Sequence, residues 1–197
     1  ALVDRTLNGR GSVGDTFIPP IYSRYHLTVE DPITYDPDYA NQLLDDAGYT
    51  MGPDGIRTMP DGSDPLVYQL YSRQNSKTSQ TTIQLLQGWL EAIGIDSNAE
   101  SVSEGRLYGI AGDGTFDMYE WGWVVEPDPD YQTSVFTCDQ MSYESKSGKI
   151  WAGLNDSFYC NEDYDQLYAD QATEIDLDVR ADIVREMQQM VYDANAY

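Results

Sequence analysis

Basic residues are scarce in this chain: 11 Lys and Arg stand against 34 Asp and Glu over 197 residues, a formal net charge of -23. A field of that sign repels phosphates, and neither a basic stripe nor a GxxxxGK[ST] cradle is present, so nucleic acid is excluded as a partner. The same field attracts cations and favours solubility. Histidine occurs once, as His26, and cysteine twice, as Cys138 and Cys160, with no CxxC. That inventory cannot build a closed zinc site and does not support a cysteine protease. No GxSxG is present, which removes the serine nucleophile elbow. No apolar run is long enough to span a bilayer, and no signal peptide is visible. Phenylalanine is sparse, at 4 against 16 tyrosines. Tyrosines pack and hydrogen-bond at once, as binding surfaces and ordinary extracellular domains both require.

What is present supports a packed core, since 41% of the residues are hydrophobic. Residues 1–34 are broken by Gly9, Gly11, Gly14, Pro19-Pro20 and Asp31-Pro32 and read as an irregular segment leading into a domain that occupies 35–197. His26 has no partner motif beside it and reads as structural. Asp36 followed by Pro37 opens a helix with an apolar face of Ala40, Leu43, Leu44 and Ala47, closed by Gly48. Turn sequences on both sides of Ile56-Arg57-Thr58-Met59 predict a hairpin-like excursion. Leu66–Tyr71 is a strand, Thr78 or Ser79 opens a helix carrying Ile83, Leu86, Leu90 and Ile93, and Ile95–Ser101 is a second strand. This βαβ order demands a parallel pair. A short helix over Ser103–Ile110 follows, and beyond the cysteines come helices capped by Asn161 and by Asp176 or Asp178, the last with a Met187 and Met190 stripe that reads as core. The class is α/β, with a mixed, partly parallel sheet flanked by helices.

The stretch Phe116–Tyr131, FDMYEWGWVVEPDPDY, is the most distinctive in the chain. Its aromatic and aliphatic half predicts a buried strand running to about Val125, where Pro127 and Pro129 stop any ladder. Trp121 and Trp123 then stand with Glu126, Asp128 and Asp130 at a strand's carboxyl end, where open α/β sheets bind ligands. Aromatic walls over a carboxylate floor suit a cation on an organic body, such as a peptide's α-amino end. The plainer reading is a core strand followed by a solvated acidic turn. Asp130 is expected to cap a short helix through Val135 and Phe136.

Three acids in one loop also raise glycoside hydrolysis, although alternation in a Pro-rich loop does not set a catalytic separation, and 34 acids make one dense loop unsurprising. A calcium loop fails because Tyr131 stands where the sharp turn needs glycine and Thr137 where a bidentate Glu is needed. An acidic extracellular interaction module without a small ligand is the third reading. The cysteines are either two reduced core thiols or a disulfide; the loop between them, rich in Ser, Gly, Lys and Asn, has little core of its own and gains most from pairing, which an oxidising compartment would permit. Ala1–Arg5 reads like the end of a helix already under way, and Val191–Tyr197 stops without a C-cap glycine, so the chain is expected to be a piece of a longer protein.

The order of several stretches resembles the second lobe of the dipeptide- and oligopeptide-binding receptors of ATP-binding-cassette importers, the family 5 solute-binding proteins. They are Tyr35-Asp36-Pro37 through Leu43-Leu44-Asp45-Asp46-Ala47-Gly48-Tyr49, Asp54-Gly55-Ile56-Arg57, Gln84–Gln87 through Ile93-Gly94-Ile95, Gly122-Trp123 with Asp128-Pro129-Asp130, the Cys138 and Cys160 pair, and Asn161–Leu167. The resemblance implies a periplasmic-binding-protein-like lobe of type II, in a two-lobed extracytoplasmic receptor that closes on its ligand like a hinged clamp. It further implies a peptide or other small solute as ligand, a membrane permease and the missing first lobe as partners, and neither cofactor nor catalytic residues. With the tryptophans and acids of the Phe116–Tyr131 stretch read above, the expected ligand set is Trp121, Trp123, Glu126 and Asp128. The α-amino group would be anchored by the acid three positions after the tryptophan of the Gly-Trp pair, here Glu126 where Asp is more familiar.

Overall fold

The computed structural model describes residues 2–144, 150–151 and 153–196. Ala1 and Tyr197, on which the reading of cut helix ends partly rests, and the 145–149 tip of the cysteine loop lie outside the described residues. The chain divides into two compact units, one of Ala1–Ser12, Thr34–Ile110 and Thr115–Gly122, the other of Val13–Ile33, Ala111–Gly114 and Trp123–Tyr197.

The first unit begins with a short helix, Leu2–Leu7 (α1). Asp36 then acts as its place before Pro37 predicts: its side chain accepts from the Tyr39 amide at 2.9 Å and opens Pro37–Asp46 (α2). Thr50–Met51 (β1) and Arg57–Thr58 (β2) pair antiparallel, the hairpin expected from the turn sequences. Val67–Arg73 (β3) follows, then Lys77–Glu91 (α3), whose cap is Ser76, two to three residues earlier than Thr78 or Ser79; the Ser76 hydroxyl takes the Ser79 amide at 3.2 Å. Ser79 is instead buried, and its hydroxyl accepts from the Arg73 amide at 2.9 Å. Asp96–Val102 (β4) pairs parallel with β3 from Val67 opposite Asp96 to Arg73 opposite Val102. Glu104–Asp113 (α4) returns the chain to Met118–Tyr119 (β5), which pairs parallel with β3 on its other side.

The sheet order is therefore β4-β3-β5, with the most buried strand in the centre. Successive side chains of a strand face opposite ways, and β3 uses both faces. Leu70 is fully buried with Leu66, Ile83, Leu90 and Ile95, the side covered by α3. Its neighbour Tyr71 packs with Val102, Leu107 and Ile110, the side covered by α4. Each such aliphatic side chain stabilises the fold by about 1.5–3 kcal/mol on full burial. Gly94 closes α3 at φ +83, where a Cβ would meet Met51 Cε at 2.7 Å and Arg57 Cγ at 2.9 Å.

The predicted strand from Phe116 to Val125 is much shorter than expected. The ladder covers only the pairs Leu70–Met118 and Tyr71–Tyr119, flanked by bonds from the Asp117 amide to the Gln69 carbonyl at 3.1 Å and from the Glu120 amide to the Tyr71 carbonyl at 3.2 Å. Beyond Glu120 the side chains hold one another instead of the sheet. Arg73 makes a forked ion pair with Glu120 at 2.9–3.2 Å and lies over the Trp121 ring at 5.0 Å, while Tyr108 meets that ring edge-on at 5.2 Å.

The second unit contains Asp130–Ser134 (α5), the antiparallel pair Tyr143–Glu144 (β6) and Ile150–Trp151 (β7), Glu162–Thr173 (α6) and Leu177–Asp193 (α7). Asn161 and Asp176 cap the last two helices as expected. The core gathers Val135, Phe136, Tyr164, Met187 and Val191, so Met187 is the core residue its spacing announced. Tyr164 is fully buried and donates to the Thr133 carbonyl at 2.8 Å; burial pushes its phenol well above the usual range. Cys138 and Cys160 form a disulfide. His26 Nδ1 lies 2.7 Å from the Ile18 carbonyl and must carry the proton, since a carbonyl only accepts.

Candidate functional site

The unit boundary falls between the two tryptophans. Trp121 belongs to the first unit, packed on Tyr108 and Arg73, whereas Trp123, Glu126, Asp128 and Asp130 belong to the second. The candidate site is therefore built here from the second unit, on the irregular segment Trp123–Pro129.

That segment has no sheet to hold it, and side chains do so in its place. Gln132 Nε2 donates to the Val124 carbonyl at 3.3 Å, and Tyr22 Oη donates to the Val125 carbonyl at 3.0 Å. Val124 itself is 78% exposed and Val125 only half-buried, so neither is the strand core that the sequence suggests. The Trp123 ring packs at the edge of the second unit's core and meets the Tyr131 ring edge-on at 6.2 Å. Phe17, Gln132, Val135 and Phe136 complete a small cleft with these two rings, about 30 Å³ in volume.

The three acids of the loop have separate fates. Asp128 accepts two hydrogen bonds of 2.8 Å from Arg180 and one of 3.0 Å from the Asp130 amide. The guanidinium hydrogen bonds, with smaller help from that amide, hold the Asp128 carboxyl below its ordinary range and raise Arg180, despite the opposing effect of burial. Arg180 is largely buried, donates also to the Gln171 carbonyl and to Gln171 Oε1 at 2.9–3.1 Å, and lies 5.7 Å from the Tyr25 ring centre. Asp130 accepts from Gln171 Nε2 at 2.9 Å. It is the first residue of α5, behind Pro129, and so does not cap that helix as its position had implied; the side-chain bond to the Asp130 amide comes from Asp128. Glu126 is exposed, and its carboxylate has no ion pair or hydrogen bond among the described residues.

Arg180, Gln171, Gln132 and Tyr22 were not singled out from the sequence. Arg180 alone carried a signal: an arginine on the otherwise acidic opening turn of a long helix. The glutamines and Tyr22 carried none, because their partners are main-chain carbonyls or residues far along the chain. In chemical terms the arrangement presents one carboxylate uncommitted among the described residues, on a segment that is tied down from two sides and also carries Trp123 of the aromatic cleft.

A profile of the bacterial extracellular solute-binding proteins, family 5 middle region, matches residues 1–143. The nickel-binding periplasmic protein of Escherichia coli (strain K12) is 29% identical over 130 residues, which are 64% of this chain and 24% of that protein. Among solved structures, the oligopeptide-binding protein AppA of Bacillus subtilis in complex with a nonapeptide superposes with a TM-score of 0.84 at 25% identity, covering 100% of this chain and 37% of that one. The oligopeptide-binding protein of Thermus thermophilus, complexed with a pentapeptide, has the same fold, with a TM-score of 0.83 at 20% identity over 99% of this chain and 34% of that one. The chain thus spans about a quarter to a third of the length of the relatives it matches.

Proposed function

Since the chain belongs to the bacterial extracellular solute-binding proteins of family 5, we propose that it is one lobe of an extracytoplasmic receptor that captures a peptide for an importer of the ATP-binding-cassette class. Its partners are then the ligand, the opposing lobe of the same receptor and a membrane permease. Trp123 supplies an apolar wall, and Glu126 the anchor for the ligand's α-amino group.

The observation that carries this reading is the division of labour among the acids. Asp128 and Asp130 are spent on Arg180 and Gln171, while Glu126 alone of the three keeps its charge uncommitted. A ligand ammonium gives that charge a partner, and closure of the receptor would remove water from the pair. In this reading Asp128 acts by bracing the loop that carries Glu126. The glycosidase alternative draws no support from Asp128, because a general acid needs a raised pKa and the forked Arg180 contact lowers this one. A flat interaction patch is disfavoured by the cleft beside Trp123.

The test is Glu126→Gln in the intact receptor, titrated calorimetrically with free and N-acetylated tri- to pentapeptides. The wild type should prefer the free peptides strongly, and the variant should lose that preference, at a cost of about 2–5 kcal/mol in binding the free ones. If wild type and variant bind free and acetylated peptides alike, Glu126 is not the anchor.

A further inference from the structure

Gln132 is 5% exposed, and the two ends of its amide differ in what they have. Nε2 donates to the Val124 carbonyl, and because a carbonyl only accepts, the end facing it must be the NH2 group. The other end, Oε1, is sealed from solvent and accepts no hydrogen bond from the described residues. A buried acceptor in this condition has given up water for nothing, and such atoms are rare enough in folded proteins to call for a cause. Among the described buried side chains it is the single oxygen or nitrogen of this kind.

Its surroundings suggest the cause. Gln132 forms part of the wall of the cleft with Phe17, Trp123, Tyr131, Val135 and Phe136, so among the described residues it is the one side-chain amide in an otherwise aromatic and aliphatic lining. At about 30 Å³ the cleft has room for a water-sized group and little more. The Nε2 bond to Val124 ties this same amide to the backbone two residues before Glu126. Tyr131, 38% exposed and edge-on to Trp123, is the ring best placed to swing aside.

We propose that this cleft is a side-chain subsite, which takes a small ligand side chain bearing a hydroxyl or amide N–H donor and reads it through Gln132 Oε1. The subsite rests on the peptide-receptor reading and deepens it: Glu126 holds the ligand's charge and Gln132 selects a neighbouring side chain. An apolar side chain of equal size fills the same volume and leaves Oε1 unpaired, and a buried polar group left unpaired is what makes a site reject an analogue lacking the donor.

The experiment is calorimetry on the intact receptor with tetra-alanine, its single-serine variants, and the matching peptides with α-aminobutyrate in place of serine, which keep the side-chain size and drop the hydroxyl. The wild type should bind one serine peptide up to about tenfold more tightly than its α-aminobutyrate match. Gln132→Met, which keeps the shape but removes both the acceptor and the Nε2 donor to the Val124 carbonyl, should abolish that difference, so that the serine and α-aminobutyrate peptides bind alike whatever affinity both lose through the loosened loop. Tyr131→Ala, which opens the mouth and keeps the amide, should retain the serine preference. A preference that survives Gln132→Met overturns the subsite. So does a wild type that binds every peptide without distinguishing serine from α-aminobutyrate, an outcome that leaves the peptide reading standing and also decides the matter if Gln132→Met does not fold. If none of the peptides binds the wild type, the peptide reading falls and the subsite with it.

Discussion

The Asp128 carboxylate grips the Arg180 guanidinium through two hydrogen bonds of 2.8 Å, across 52 positions of sequence. A forked contact of this kind fixes direction as well as distance, so the loop that carries Glu126 is oriented by α7 rather than by its own backbone.

The pH dependence of that contact follows from its sign. Asp128 is depressed in the folded chain, so its contribution is present above the ordinary carboxylate pKa and is lost as pH falls through the folded value. Asp128 is 59% exposed, which discounts the pair to about 1 kcal/mol or less. Asp128→Asn should lower stability by that amount in urea titrations at neutral pH, and the gap should close in strong acid. An unchanged gap across pH would mean that the carboxylate charge is not its source.

Trp123→Ala in the intact receptor should weaken peptide binding through lost packing, by roughly tenfold if the ring is a binding anchor. Because no charge is removed, free and N-acetylated peptides should suffer equally. A variant that penalises only the free peptides would transfer part of the amine recognition to this ring.

Arg57 and Asp45 should have very unequal effects although they are bonded to each other. Arg57 is 2% exposed and donates to the Ile93 and Tyr49 carbonyls and to Asn41 Oδ1 at 2.6–2.8 Å, besides Asp45. Arg57→Met strands those acceptors and should cost about 3–5 kcal/mol. Asp45 is 66% exposed, and Asp45→Asn still offers an oxygen, so its cost should stay near 1 kcal/mol or below. Guanidinium chloride unfolding of both variants checks the ratio; similar losses would show that the ion pair, not the buried carbonyl contacts, carries the effect.

Reduction of Cys138–Cys160, or replacement of both by serine, frees a closed loop of 22 positions. The chain-entropy estimate for such a loop is about 3 kcal/mol, or a melting-point drop of roughly 6–12 °C for a chain of this size. Calorimetric melts with and without reductant measure it, and coincident melts would mean that the disulfide adds nothing to stability.

Much of the first unit was legible from the chain alone, because its signals are local. Asp36 before Pro37, Gly48 and Gly94 after their helices, and the order of Leu66–Tyr71, Ile83–Leu90 and Ile95–Ser101 each act within a few residues, and these determined the capped helices and the parallel β3–β4 pair. The acidic loop after two tryptophans was equally visible as a place of interest. What the sequence by itself could not determine was how that loop is held. The hydrophobic run from Trp121 to Val125 reads as strand, yet pairing ends at Tyr71–Tyr119 and the Glu120 amide while β3 itself runs on to Arg73; the rings beyond are held by Tyr108 and Arg73 on one side of the unit boundary and by Tyr131 on the other, contacts that no local pattern announces. Likewise Glu126, Asp128 and Asp130 are interchangeable acids in a list of residues. Only the arrival of Arg180 and Gln171 from distant helices commits two of them and leaves Glu126 uncommitted, because an ion pair is decided by three-dimensional distance, which spacing along a proline-rich loop does not encode.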